Sequence, residues 1–134
     1  MMPGLTPELA ALAALAFVHF GTIFVAQRFL TRDIGAEGNT GTRENLDERL
    51  SPLTKRLRRA TDNFTENVGP FIIAVLVVVL AGQTSTATAV LAWIYVAARV
   101  LYVPAYALAW VPWRTVIFSV GMLSTLALLV LGLI

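Results

Sequence analysis

Arg59, Asn63, Glu66, Arg99 and Arg114 lie inside or beside long apolar stretches, where such side chains are costly. Charge within a membrane segment normally faces a cavity or a partner. Arg59, Asn63 and Glu66 stand at i, i+4 and i+7, which is one face of a helix. Arg99, Tyr102 and Tyr106 stand at i, i+3 and i+7, again one face. Guanidinium groups capture carboxylates in a planar, bidentate way. A glutamate suits an ammonium group. Together the set describes a pocket for a zwitterionic ligand with excess negative charge. The competing reading is a buried Glu66–Arg99 pair that only fixes helix register. That pair would leave Arg59, Asn63, Tyr102, Tyr106 and Arg114 unexplained.

The elements that must position these residues follow from composition. The chain has 134 residues, 57% hydrophobic and only 13% charged, with no cysteine. The length suits one domain. The apolar share exceeds that of ordinary soluble domains, and it excludes disorder. A net charge of +2 gives no reason to expect a nucleic-acid partner. The apolar residues form four blocks, read as four transmembrane helices; the second, 68–82, is too short to span alone unless its helix begins in the polar stretch after Pro52. The expected spans are 8–30, 52–82, 86–110 and 113–134. Strict polar–apolar alternation, the mark of a membrane β-barrel, is missing. The fold class is therefore all-α, an integral membrane four-helix bundle. No Lys or Arg precedes the first block, so it reads as a retained span rather than a signal peptide.

Residues 31–51 are rich in Gly, Asn, Asp, Glu and Arg and read as a solvated loop. Gln83–Ser85 reads as a tight turn, and Val111-Pro112 as a proline link between helices. Arg28, Arg32, Arg43, Arg49, Lys55, Arg56, Arg58 and Arg59 cluster around the 31–51 loop. By the positive-inside rule, that loop and the Pro112 link are expected to be cytoplasmic. Arg43, Arg49, Lys55 and Arg56 are expected to meet anionic lipid headgroups. Counting 1.5 Å per residue puts Glu66 roughly 24 Å and Arg99 roughly 20 Å from the opposite surface. The polar set thus shares one layer on the arginine-rich side.

The string Arg59-Ala60-Thr61-Asp62-Asn63-Phe64-Thr65-Glu66-Asn67-Val68-Gly69-Pro70-Phe71 resembles the R-A-x-x-N-x-x-E-x-x-x-P-F signature of the MAPEG family. These are the membrane-associated proteins in eicosanoid and glutathione metabolism. Ala98 to Tyr106 is similar to the family's third-helix pattern, and Pro112-Trp113-Arg114-Thr115-Val116 to the start of its fourth helix. The resemblance covers the whole chain, and it is to the short bacterial members and the microsomal glutathione transferases. It implies a homotrimer in a bacterial inner membrane, with glutathione as cosubstrate and a lipophilic small molecule as the second substrate. It implies glutathione contacts from Arg59, Asn63 and Glu66 on the second helix and from Arg99, Tyr102 and Tyr106 on the third. Arg28 is the implied contact from the first helix, with Arg32 as the alternative. Arg114 matches the arginine held to stabilise the glutathione thiolate. Such a role is chemically apt, because a nearby guanidinium lowers a thiol pKa. Three positions depart from relatives: Asp62 where some are basic, Phe118 where some carry tyrosine, and Tyr102 where the prostaglandin synthase has histidine.

Other residues read as structural. His19 is the only histidine, which excludes a histidine–cysteine metal set. It is expected to be a packing residue. Trp110 and Trp113 suit an interfacial belt. Gly21, Gly69 and Gly121 are candidates for close helix approach. The alternative functions are a binding or scaffold protein that keeps the family pocket without turnover, and a small multidrug-type transporter. The transporter needs a central acid in an early helix, and residues 9–29 contain none.

Overall fold

The computed structural model describes residues 4–134, and all of its regular structure is helical. Helix α1 runs Pro7–Thr40, α2 Leu46–Arg49, α3 Pro52–Leu80, α4 Thr86–Ala107 and α5 Trp113–Leu133. Four of them (α1, α3, α4 and α5) are long and apolar enough to cross a membrane. The chain is thus an all-α, multi-pass integral membrane protein. Helix α3 packs against α1, α4 and α5, and α4 packs against α1 and α5. The shared core holds Leu15 from α1, Phe64, Phe71, Val75 and Val78 from α3, Tyr95 and Val96 from α4, and Leu128 from α5. Phe71 and Tyr95 stack with ring centroids 3.9 Å apart, which ties α3 to α4.

Local chemistry sets the helix ends. Ser51 caps α3 and Ser85 caps α4, each accepting a hydrogen bond from the amide three residues on. Helix α3 closes with Gly82 at φ 69°, as Gln83 N–H donates to the Val78 carbonyl and Gly82 N–H to that of Val79. This is a Schellman stop, and glycine suits its left-handed position. Helix α4 closes in the same way around Ala109, at φ 56°. There Trp110 N–H donates to Ala105 and Ala109 N–H to Tyr106. That stop ends the helix at Ala107, three residues before the expected limit of 110. The connection to α5 is correspondingly longer than the two-residue link the sequence suggested.

The largest departure from expectation is the 31–51 segment. It is not an open loop: helix continues from the first span to Thr40, broken only at Gly35 (φ 75°, ψ 169°). That conformation is essentially confined to glycine, and it reverses the chain. Twelve residues of straight helix would separate Gln27 from Asn39 by roughly 18 Å. Instead the Asn39 side-chain amide donates to Gln27 at 3.0 Å and to Thr31 at 2.8 Å. Arg43 then donates to the Asn39 side chain and carbonyl. The Asp33 carboxylate accepts the Ser51 N–H at 2.9 Å, joining α1 to the start of α3. These side-chain bonds across reversed strands of chain are invisible to local propensity.

Two further expectations are corrected. Arg56 does not simply face headgroups: its Nε donates to the Ala107 carbonyl at 2.7 Å, satisfying the end of α4. Among the glycines, a Cβ on Gly21 or Gly69 would meet nothing within 4 Å, and on Gly121 only ordinary contacts. Close approach occurs at Gly132, where a Cβ would lie 2.9 Å from the Val77 side chain and 3.3 Å from the Val78 backbone nitrogen.

Candidate functional site

Helices α3, α4 and α5 bring Asn63, Tyr102, Tyr106, Arg114, Thr115 and Phe118 around one cavity of about 260 Å³. A second, mostly apolar cavity of about 270 Å³ shares Tyr102 and Phe118 and extends along Arg99, Tyr95, Ala98, Ile117 and Gly121. The expected i, i+3, i+7 stripe on α4 is therefore a real wall: Arg99, Tyr102 and Tyr106 each line at least one of the two cavities.

Arg99 is only 3% exposed. Its Nη2 donates to the Asn63 side-chain oxygen at 3.2 Å. Its guanidinium carbon lies 4.6 Å from the Tyr102 ring centroid and 4.8 Å from that of Phe64. Aromatic faces attract a guanidinium in this way. The Nε is buried without a hydrogen-bond partner among the described residues. Tyr102 and Tyr106 follow with ring centroids 5.8 Å apart, and the Arg114 guanidinium lies 4.9 Å from the Tyr106 centroid. Two arginines are thus bridged by two tyrosines.

No acid balances them. Among the described residues the one ion pair is Arg32–Asp33, at 3.4 Å. The Glu66–Arg99 pair considered from sequence does not form, because Arg99 turns to Asn63. Glu66 and Arg59 are exposed on α3, outside both cavities. Arg28 lines a separate cavity with Phe29, Thr31 and Arg32. Within one chain, then, Asn63, Arg99, Tyr102, Tyr106 and Arg114 come together, while Arg28, Arg59 and Glu66 do not join them.

Sequence reasoning missed the support behind Arg99. Phe64 is fully buried, and His19 stacks on it with centroids 4.4 Å apart and planes 13° apart. The His19 ring nitrogen Nε2 is 3.1 Å from the Thr65 hydroxyl, so it is a satisfied packing residue. Only the distance between Phe64 and Arg99, 35 positions apart, exposes the column. Phe118, noted only as a departure, forms the wall common to both cavities.

The MAPEG family profile matches residues 8–134, essentially the whole chain. The protein belongs to the MAPEG family, whose members include glutathione transferases and related enzymes. No curated protein and no solved structure matches the chain.

Proposed function

We propose that this protein is a membrane-embedded glutathione-dependent transferase or peroxidase acting on lipophilic electrophiles. One observation carries the reading: Arg99 and Arg114 border adjoining cavities with no carboxylate to neutralise them. An uncompensated guanidinium held off water strongly favours an anionic ligand. Glutathione supplies two carboxylates and a thiol, and family membership makes it the first ligand to consider. The chain has no cysteine of its own, so the reactive sulfur arrives with the ligand.

In this reading Arg99, Asn63, Tyr102 and Tyr106 hold the peptide, and Arg114 stabilises the thiolate. The thiolate attacks the electrophilic carbon, forming a carbon–sulfur bond as the leaving group departs or the added carbanion takes a proton. The mostly apolar cavity beyond Phe118 suits a lipid-soluble partner. Arg28, Arg59 and Glu66 enter the site from a neighbouring protomer of a homotrimer. The arginine-rich face is cytoplasmic, in an inner membrane.

The test is a glutathione titration of detergent-purified protein, followed by calorimetry and by thiolate absorbance. Wild type binds and shows the thiolate band. Arg114→Ala still binds but loses that band. Failure of wild type to bind glutathione overturns the proposal. Binding with no thiolate band in wild type selects the non-catalytic binding or scaffold reading, which the missing hydroxyl at Phe118 favours.

A further inference from the structure

At the end of the bundle opposite the arginines, Glu8 is 1% exposed. It stands in the first turn of α1 and packs against the first turn of α4. Its Oε1 lies 2.5 Å from the Thr88 hydroxyl. Its Oε2 is buried and has no hydrogen-bond partner among the described residues. Positions 1–27 and 60–98 contain no lysine or arginine. No cationic side chain near either helix end therefore answers this carboxylate. It borders a cavity of about 320 Å³ that Thr6, Thr84, Ser85 and Thr86 also line.

Hydrogen counting shows what the cluster lacks. The Thr88 hydroxyl accepts from the Ser85 N–H at 2.7 Å. Its single proton faces two acceptors, Glu8 Oε1 and the Ser85 carbonyl at 2.9 Å. A hydroxyl donates only once. The Ser85 carbonyl also accepts the Ala89 N–H at 3.0 Å, which frees the hydroxyl for Oε1, and Glu8 Oε2 is the oxygen left without a donor among the described residues. Buried acceptors in that state are strongly unfavourable. The positive ends of α1 and α4 favour negative charge here, yet neither supplies an N–H to Oε2.

We propose that this cavity binds a primary ammonium group, one of whose N–H donors satisfies Glu8 Oε2. A primary ammonium brings one positive charge and three donors on a compact head. A metal ion or a quaternary ammonium would bring charge but no hydrogens. The cavity holds several non-hydrogen atoms, and its rim of hydroxyls suits the membrane–water boundary. Two sources carry this chemistry: an aminophospholipid headgroup and a free amine.

Thermal unfolding of the full chain in detergent tests the assignment, at equal ionic strength in ethanolamine hydrochloride, tetramethylammonium chloride or sodium chloride. Ethanolamine raises Tm by a few degrees over both other salts, and Glu8→Gln removes the difference. Equal Tm values for wild type in the three salts overturn the proposal. So does a difference that survives in Glu8→Gln. If that variant does not fold, the wild-type contrast between ethanolamine and tetramethylammonium decides alone. A second arm compares phosphatidylethanolamine and phosphatidylcholine vesicles of matched acyl chains. A Tm gain in the former that Glu8→Gln abolishes makes the ligand a lipid headgroup. Equal Tm in both vesicles, with the ethanolamine response intact, makes it a free amine.

Discussion

At the residue scale the decisive arrangement is the column His19, Phe64, Arg99, Tyr102, Tyr106 and Arg114. Arg99 holds its place by a hydrogen bond to Asn63 and by two ring faces. Lysine keeps the charge but has neither the planar fork nor the stacking surface. Arg99→Lys is therefore expected to weaken glutathione binding by about ten- to a hundredfold, since one charge-assisted hydrogen bond contributes about 1.5–3 kcal/mol. Titration calorimetry reads this directly, and unchanged affinity would remove Arg99 from the site. Helical spacing made Arg99, Tyr102 and Tyr106 legible as one stripe, and Asn63 legible as part of another with Arg59 and Glu66. Spacing could not show that Glu66 and Arg59 stay exposed, outside the cavities that Arg99 and Arg114 border. Periodicity orders residues around one helix, and only packing decides what that helix faces. Phe64 was hidden because a buried phenylalanine in an apolar helix looks like any core residue.

At the element scale two helix details make opposite predictions. Ala109 occupies a left-handed position in the stop of α4, where a Cβ costs about 1–2 kcal/mol. Ala109→Gly relieves that strain and gives back part of it through a more flexible unfolded chain. The expected net gain is about 0.5–1 kcal/mol, read as a higher unfolding midpoint. Gly132 lets α5 approach α3 until a Cβ would sit 2.9 Å from Val77. Gly132→Leu is expected to cost about 1–3 kcal/mol by overpacking. The same substitution at Gly21, where a Cβ meets nothing within 4 Å, should be close to neutral within the protomer. The four spans were legible because length and apolarity are coarse signals. The ends were not, because Ala109 carries no glycine-like stop signal and Asn39 acts through contacts eight and twelve residues away.

At the scale of the whole molecule, sidedness and assembly decide how the site is reached. The chain contains no cysteine, so any introduced thiol is the only one. Asn45→Cys and Gln83→Cys sit at opposite ends of the bundle. An impermeant maleimide applied to intact cells should label only Gln83→Cys if the arginine-rich face is cytoplasmic. Labelling of Asn45→Cys alone would invert the assignment. Along α1, Phe17, Phe20 and Phe24 are 78%, 60% and 68% exposed, a surface for lipid or for another protomer. Native mass spectrometry is expected to give a trimer. A monomer would leave Arg28, Arg59 and Glu66 with no route into the site. The reversal at Gly35 has a practical consequence as well. The strap that follows it is a fixed bracket across one end of the bundle, held by Asn39 and closed by Asp33 on Ser51. A reporter domain spliced between Glu44 and Asn45, both exposed, should hang from the bracket without loosening it, whereas the same graft between Gly35 and Asn39 would saw through it.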